Sequence, residues 1–197
     1  MIPKKIHQIW VGSPLPEKYK KFISNIKALH ENFEYKLWND DDITKENFTN
    51  YDLICSTKCF AQKADIMRYE IVYKHGGIYL DIDFEIIKCL SDLLTADFVV
   101  CNEDSHTNQY MSNSFFASSV KNENLLRCIE NIRSADFTLP VNVSTGPWFF
   151  RRFINFDENI KILPTITFYP KNWDEKHKEI KITDEIYGIH HWDKNWT

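Results

Sequence analysis

The chain has 197 residues, of which 43% are hydrophobic and 15% aromatic, with a formal net charge of −4 and a pI near 6.0. This size favours a single domain over residues 1–197 with a sizeable core, and the acidic balance excludes a dedicated nucleic-acid-binding protein, which would carry a basic footprint. No run approaches the ~18 apolar residues of a membrane span and no signal peptide is evident, so we expect a cytoplasmic protein, with peripheral membrane contact and oligomeric state left open.

The first half of the chain alternates strand and helix patterns. Residues 6–11 have the pattern of a strand, and residues 17–30 carry an apolar stripe at helical spacing. A second strand is predicted to follow and to end at Trp38. The clearest helix covers residues 57–75 and stops at Gly76. Strand, helix, strand is the typical opening of an α/β fold with a mostly parallel sheet flanked by helices.

The second half continues with shorter elements. The acidic triplet at residues 40–42 favours a helix start, because acids stabilise the positive end of the helix dipole. Later patterns predict strands at 97–102, 114–119 and 160–163, and helices at 123–133 and 148–154.

Two carboxylates follow the strand-like run that begins at Gly76. Asp81 and Asp83 lie two residues apart, so on a strand they share a face with Tyr79 and lie roughly 6–7 Å apart. Such a pair repels itself unless a cation lies nearby, and oxygen ligands select Mg²⁺ or Mn²⁺. The simplest alternative is a solvated strand edge, but ligands bind at the carboxyl ends of strands in open α/β sheets.

Two other acidic motifs fit less well. A calcium-binding helix-loop-helix needs Gly at the sixth loop position, which here is Ile86. A haloacid-dehalogenase-type phosphatase has Thr or Val two residues after the second Asp, where this chain has Glu85, and that reading stays only a remote alternative.

A further acid, Asp65, lies on the long helix that precedes the carboxylate pair. Asp65 and Arg68 are three residues apart and share a face with Ala61, one turn earlier. They form either a silent surface ion pair or a ligand site in which the small Ala leaves room for a ligand and the charged groups bind its hydroxyls.

The last residues group imidazole, indole and amide side chains. A charged, aromatic end is usually frayed, but His and Asn side chains are also suitable further ligands for a metal bound by Asp83. Indole rings beside them, including Trp196, would shield such a site from water. The residues concerned are His190, His191, Trp192, Asp193, Asn195 and Trp196.

Taken in order, these motifs resemble the DXD-containing glycosyltransferases of family 32, which include fungal Golgi α-mannosyltransferases and bacterial capsular polysaccharide transferases. The resemblance covers almost the full chain. Its motifs are residues 2–10, Trp38-Asn39, Ala64-Asp65 with Arg68-Tyr69, residues 76–83, Thr145-Gly146-Pro147, and His190-His191-Trp192 with Trp196.

The resemblance implies a GT-A fold and a metal-dependent, retaining transfer from a UDP- or GDP-sugar, held through Mn²⁺ or Mg²⁺, to a glycan or lipid-linked acceptor. It implies a donor-binding part at about 1–105, then an acceptor-side part and a covering tail at about 106–197. The implied catalytic residues are Asp65, Arg68, Asp81 and Asp83. Its implied donor-binding residues are Gln8, Ile9, Trp10, Ala61, Asp65, Arg68, Tyr79, Asp81, Gly146 and Trp196.

For the metal, the resemblance implies direct binding by Asp83, with Asp81 contacting the ribose or a metal-bound water. At the C-terminus it favours His191 near metal or diphosphate, although His190 cannot be separated from it by sequence. The family commonly has Ser-Trp where this chain has Asn195-Trp196, and the Asn amide oxygen would then serve as a ligand.

Two other functions stay open at this point. A sugar-phosphate nucleotidyltransferase would also hold a metal on acids, but it normally has a Gly-rich, basic loop after the first strand, and residues 12–16 contain one Gly and no base. A catalytically silent nucleotide-sugar-binding module would show nucleotide binding without turnover.

Overall fold

A computed structural model describes residues 1–104, 110–156, 159–175, 177 and 179–193. The strands are β1 (Lys5–Ile9), β2 (Glu34–Trp38), β3 (Gly77–Leu80), β4 (Phe84–Ile86), β5 (Phe98–Asn102), β6 (Met111–Ser118), β7 (Ile160–Leu163) and β8 (Gly188–His190). The α-helices are α1 (Glu17–Leu29), α2 (Tyr51–Ser56), α3 (Phe60–His75), α4 (Glu123–Asn131), α5 (Val141–Ser144) and α6 (Pro147–Phe153).

Six strands form a central sheet in the order β2-β1-β3-β6-β5-β7. Strand β1 is parallel to β2 and β3, and β5 is parallel to β7, whereas β6 is antiparallel to both of its neighbours. The prediction of a mostly parallel α/β fold is therefore confirmed. Because β6 runs in reverse, its first residues lie at the edge where the parallel strands end.

The sheet separates two apolar cores. Side chains alternate faces along β3, so Tyr79 enters one core while Ile78 and Leu80 enter the other. The first core is covered by α3, α4 and α6, and the second by α1 and the β4–β8 pair. This arrangement holds the end of β3 rigidly between two packed layers.

Several predicted boundaries differ from the structure. Helix α3 begins at Phe60 rather than at residue 57, because Cys59 has an extended backbone and forms the N-cap. It ends as predicted at Gly76, whose φ of 61° suits glycine. The acidic triplet forms one turn of 3₁₀ helix (Asp40–Asp42) capped by Asn39, and the helix predicted to reach residue 133 ends at Asn131.

The sequence patterns missed the short elements α2, α5, β4 and β8. Strands β4 and β8 have three residues each and pair in a separate antiparallel ribbon, with Phe84 opposite His190 and Ile86 opposite Gly188. A strand of three residues is too short to show the alternation of apolar and polar side chains that predicts a strand from sequence. The ribbon nevertheless brings the end of the described chain to the carboxylate pair.

Candidate active site

The two carboxylates lie in a turn at the carboxyl end of β3, which itself ends at Leu80. The main chain of Asp81 is held from two sides, since its N–H donates to the Ser114 carbonyl at 2.9 Å and its carbonyl accepts from the Gln8 amide at 3.0 Å. The main chain of the Asp-Ile-Asp turn is therefore held by the two strands beside β3, through a main-chain group of β6 and the side-chain amide of Gln8 in β1.

Arg68 connects α3 to this turn. Its Nη2 lies 3.1 Å from Asp81 Oδ1 and 3.3 Å from Asp65 Oδ1, and its Nη1 donates to the Asn113 carbonyl at 2.7 Å. The guanidinium carbon lies 4.5 Å from the centre of the Tyr79 ring, whose hydroxyl donates to Asp81 at 2.6 Å. Asp81 is thus held in one orientation by two donors from different elements.

Asp65 is buried beneath Arg68, with 3% of its surface exposed. Each of its carboxylate oxygens accepts a hydrogen bond at 2.7 Å, one from Asn113 and one from the Thr145 hydroxyl. Tyr69 joins the same network by donating to the Thr145 carbonyl at 2.6 Å. A surface ion pair is excluded for Asp65 and Arg68, because both residues are buried. Removing one partner of a buried pair typically destabilises a protein by about 3–5 kcal/mol.

Burial and charge act in opposite directions on these acids. Burial raises the pKa of Asp65 to about 6, although Arg68 and the hydrogen bond from Thr145 oppose it. Burial also raises the pKa of Asp81, and Arg68 again opposes the shift. The arginine is therefore the group that keeps two desolvated carboxylates available as anions.

Asp83 faces the ribbon formed by β4 and β8. Its Oδ1 lies 3.2 Å from His190 Nε2, and its Oδ2 accepts a 2.9 Å hydrogen bond from the Asp193 main chain. Burial opposes ionisation, but His190 and the Asp193 N–H outweigh it and lower the pKa of Asp83 to about 2. For His190, burial lowers the pKa, but the neighbouring acids raise it more, so the net shift is upward.

The donor set at this position fits a divalent cation. One ligand atom each from Asp81, Asp83 and His190 lie within 4.8 Å of one another. Within the described part of the chain, Nδ1 of His190 is a buried side-chain nitrogen with no hydrogen-bond partner. Two carboxylates and an imidazole suit Mn²⁺ or Mg²⁺, and a buried nitrogen without a partner is rare outside sites that bind something.

A cavity of about 180 Å³ opens above this cluster. The residues that line it are Ile9, Asp81, Ile82, Asp83, Glu103, Ser112, Asn113, Ser114, Pro147, Trp173, His190, Trp192 and Asp193. We call it the DXD cavity. Among the residues predicted to form the site, Ile9, Asp81 and Asp83 line it directly.

Other predicted residues lie behind the cavity or beside it. Asp65, Arg68 and Ala61 are buried and do not line it. Gln8 holds the Asp81 backbone and accepts a 2.8 Å hydrogen bond from Tyr35.

The indole of Trp10 packs on Tyr19, with ring centres 5.4 Å apart. Gly146 lies one residue before Pro147, which lines the wall. The predicted contacts of Asn195 and Trp196 fall outside the described residues.

The two C-terminal histidines have different surroundings. His190 belongs to the three-ligand cluster, whereas His191 places its Nε2 2.9 Å from Glu85 and stacks on Phe22, with ring centres 5.2 Å apart. Neighbouring residues on a strand face opposite sides, which separates the roles that sequence alone left together. The geometry selects His190 rather than the favoured His191 for the cluster.

Several cavity residues were not predicted at all. Glu103 follows β5, and Ser112, Asn113 and Ser114 begin β6, where they are buried. Three consecutive polar residues at the start of an apolar strand were the available signal. This signal alone did not indicate a site, because the direction of β6 was not predicted. Since β6 is antiparallel to β3 and β5, its first residues lie beside the carboxyl ends of those strands.

The chain can be compared with known proteins on this basis. Residues 16–100 match the family described as a glycosyltransferase sugar-binding region containing a DXD motif. Residues 16–100 therefore correspond to the sugar-binding region of the DXD-containing glycosyltransferases. That region includes α3 and the Asp-Ile-Asp turn, and the rest of the cavity is supplied by residues beyond it.

Curated glycosyltransferases are also similar to this chain. Inositol phosphoceramide mannosyltransferase 3 of Schizosaccharomyces pombe is 32% identical over 157 residues, which is 75% of this chain and 43% of that protein. Inositol phosphoceramide mannosyltransferase 1 of the same organism is 29% identical over 85% of this chain and 57% of its own length. An uncharacterized glycosyltransferase of Acanthamoeba polyphaga mimivirus is 39% identical over 50% of this chain and 42% of its length. The chain spans about half the length of these relatives.

The fold is also found among solved structures. The PaToxG glycosyltransferase aligns over 77% of this chain and 68% of its own, with a TM-score of 0.58 and 19% sequence identity. This likeness shows a shared fold. Among the helices that the structure describes, none is long and apolar enough to cross a membrane.

Proposed function

We propose that the chain transfers a hexose, and specifically mannose, from a nucleotide sugar to a hydroxyl of a glycan or lipid-linked acceptor, in a reaction that requires a divalent cation. The observation that carries this proposal is the cluster of Asp81, Asp83 and His190 at the floor of the DXD cavity. The mannosyltransferase names of two relatives support the choice of sugar.

The same three residues would hold Mn²⁺ or Mg²⁺. A cation bound there supplies positive charge that offsets the charge developing on the leaving diphosphate. The contribution of the chain itself is preorganisation: Arg68 and Tyr79 fix the orientation of Asp81, and the Asp193 N–H fixes Asp83. Asp65 acts one layer further away by holding Arg68, so we assign it a positioning role.

We further propose that the anomeric configuration is retained. The bond between the anomeric carbon and the diphosphate oxygen breaks, a new bond forms to the acceptor hydroxyl oxygen on the same face, and the hydroxyl proton passes to the leaving diphosphate. An NMR spectrum of the product tests this step, and an inverted anomeric proton would contradict it.

The deciding experiment measures nucleoside diphosphate release from a panel of UDP- and GDP-sugars with Mn²⁺, Mg²⁺ or EDTA. We expect release from one donor and the loss of that release in EDTA. In Asp83→Asn the rate of release should fall by at least about 100-fold, because the cluster loses one negative charge. The amide oxygen of the variant can still accept the hydrogen bond from the Asp193 main chain. Glu85→Gln is the matched control, since it removes an acid two residues away that does not line the cavity.

The outcomes separate the alternatives. Full activity in Asp83→Asn, or activity unaffected by EDTA, would contradict the assigned metal site. Donor binding by calorimetry without release, with or without acceptor sugars, would instead identify a silent nucleotide-sugar-binding module.

A further inference from the structure

A second, larger cavity of about 600 Å³ adjoins the DXD cavity. Its described lining residues are Glu103, Asp104, Tyr110, Asn142, Pro147, Trp148, Asn172, Trp173, Asp174 and Trp192. We call it the aromatic cleft. Four residues line both cavities, namely Glu103, Pro147, Trp173 and Trp192. A molecule in the cleft would therefore lie directly beside whatever occupies the DXD cavity.

The walls of the cleft present aromatic rings to solvent. Trp173 and Trp148 are 58% and 38% exposed, the only described tryptophans among the exposed large apolar side chains. Trp148 is held edge-on against Tyr110, with ring centres 4.7 Å apart and planes at 70°. Exposed indoles fixed in place at the rim of a cavity are typical of a surface that covers a ligand.

The charged side chains among the described residues that line the cleft are all carboxylates. Carboxylates come from Glu103, Asp104 and Asp174, and amides from Asn142 and Asn172. Of the described residues that line the cleft, none is Lys or Arg. Such a set of acceptors attracts hydroxyl groups, whereas a phosphorylated ring would meet like charge.

Glu103 lies where the two cavities meet. It directly follows β5, its main-chain N–H donates to the Tyr110 carbonyl at 2.8 Å, and the Ser112 hydroxyl hydrogen bonds to its carboxyl group. The carboxyl group is therefore fixed from strands β5 and β6. It is positioned to accept a hydrogen bond from a hydroxyl that points out of the cleft towards the DXD cavity.

We propose that the aromatic cleft is the acceptor site and that it binds an uncharged, hydroxyl-rich ring, a sugar or a cyclic polyol. The ring stacks on Trp148 and Trp173, and Glu103 accepts a hydrogen bond from a ring hydroxyl beside the reacting one, whose own proton passes to the leaving diphosphate. The volume is in the range of small-molecule sites, roughly 300–1,000 Å³. This inference rests on the proposed function, because an acceptor needs a donor beside it.

The test separates acceptor binding from donor chemistry. In the presence of Mg²⁺, which is diamagnetic, and nucleoside diphosphate, saturation-transfer NMR with methyl α-D-mannopyranoside, methyl α-D-glucopyranoside, methyl β-D-galactopyranoside and myo-inositol reports ring binding without turnover. We expect at least one to bind, and Trp148→Ala or Trp173→Ala to weaken it roughly tenfold. Phe60→Ala is the matched control, because Phe60 is 41% exposed and lines neither cavity.

Kinetics give the second readout. Without acceptor, slow hydrolysis of the nucleotide sugar gives a baseline for each protein, and with acceptor the KM for the acceptor should be about tenfold higher in Trp148→Ala than in the wild type or in Phe60→Ala. The Glu103→Gln variant should lower kcat for transfer more than it lowers donor hydrolysis.

Three results would overturn the inference. They are an unchanged acceptor KM in both tryptophan variants, failure of all four rings to bind, and tighter binding of mannose 6-phosphate than of methyl α-D-mannopyranoside. Loss of metal-dependent donor hydrolysis in the wild type is a different outcome, because it would refute the proposed function itself.

Discussion

Asp81 and Asp83 share one motif but have opposite environments. Asp81 is desolvated against Arg68 and Tyr79, and burial raises its pKa. Asp83 faces His190 and a main-chain N–H, which lower its pKa to about 2 despite burial. The difference follows from which element each side chain faces, α3 for one and β8 for the other. The two acids of the motif are therefore not interchangeable.

The neighbouring histidines provide a test at this scale. We expect His190→Ala to weaken Mn²⁺ binding by about tenfold or more, because it removes one of three clustered donors. His191→Ala should leave Mn²⁺ affinity unchanged, since its imidazole contacts Glu85 and Phe22. Titration of Mn²⁺ followed by electron paramagnetic resonance measures both. The reverse pattern would restore the preference for His191 that family resemblance suggests.

At the scale of elements, the long periodic segments were predictable and the shortest were not. The stripe of α1, the length of α3 and the Gly76 stop all follow from local patterns, and the structure confirms them within three residues. The ribbon of β4 and β8 depends on pairing between segments about 100 residues apart, and no local period reports such pairing. For the same reason the sequence could not decide between His190 and His191 as the histidine beside the two acids.

The turn from α3 into β3 provides a test at this scale. Gly77 has a φ of 100°, and a Cβ there would lie 2.6 Å from the Lys5 carbonyl of β1. We expect Gly77→Ala to lower the free energy of unfolding by at least ~2 kcal/mol, since backbone strain adds to a contact that rigid main chain cannot relieve. Urea denaturation measures the loss.

Gly12→Ala is the matched control for Gly77→Ala. Gly12 also has a positive φ, 86°, but the nearest atoms to its added Cβ belong to the Phe60 ring. That side chain is partly exposed and can rotate away, so the loss should be smaller. Equal losses for the two variants would show that the Lys5 carbonyl does not constrain the turn.

At the scale of the whole molecule, the candidate site depends on strands, helices and loops that no single motif describes. The family resemblance implied that Asp65 and Arg68 share a site with the DXD turn, and in the structure Arg68 contacts both Asp65 and Asp81. Their depth was not predictable, because helical spacing shows a shared face but not what covers it. Because both side chains are buried, neither lines the DXD cavity, where the donor sugar was predicted to bind. Arg68 instead contacts Asp81 from behind the cavity.

The buried Asp65 gives stability a pH dependence. Its pKa is about 6 in the folded protein against 3.8 ordinarily, so the folded state binds the proton more tightly. This contribution to folding is full at low pH and is lost as the pH rises from about 4 through about 6. The two-unit difference corresponds to at most ~3 kcal/mol.

Asp65→Asn should remove this part of the pH dependence. The free energy of unfolding of the wild type, measured by urea denaturation at several pH values between 4.5 and 7, should fall relative to the variant as the pH rises. The variant will have its own constant offset, because Thr145 and Asn113 lose a carboxylate acceptor. A difference that stays flat across this range would show that Asp65 is already ionised at the lowest pH.

The hydrogen bond between the Asp193 main chain and Asp83 joins residues 110 positions apart in sequence. During synthesis, both acids of the motif and the helix behind them emerge long before β8, so an incomplete chain presents the acidic pair without its imidazole partner. Contacts of such long sequence separation form late in folding. If the proposed site binds a cation, that binding would therefore report that β8 has paired with β4 beside the acidic pair.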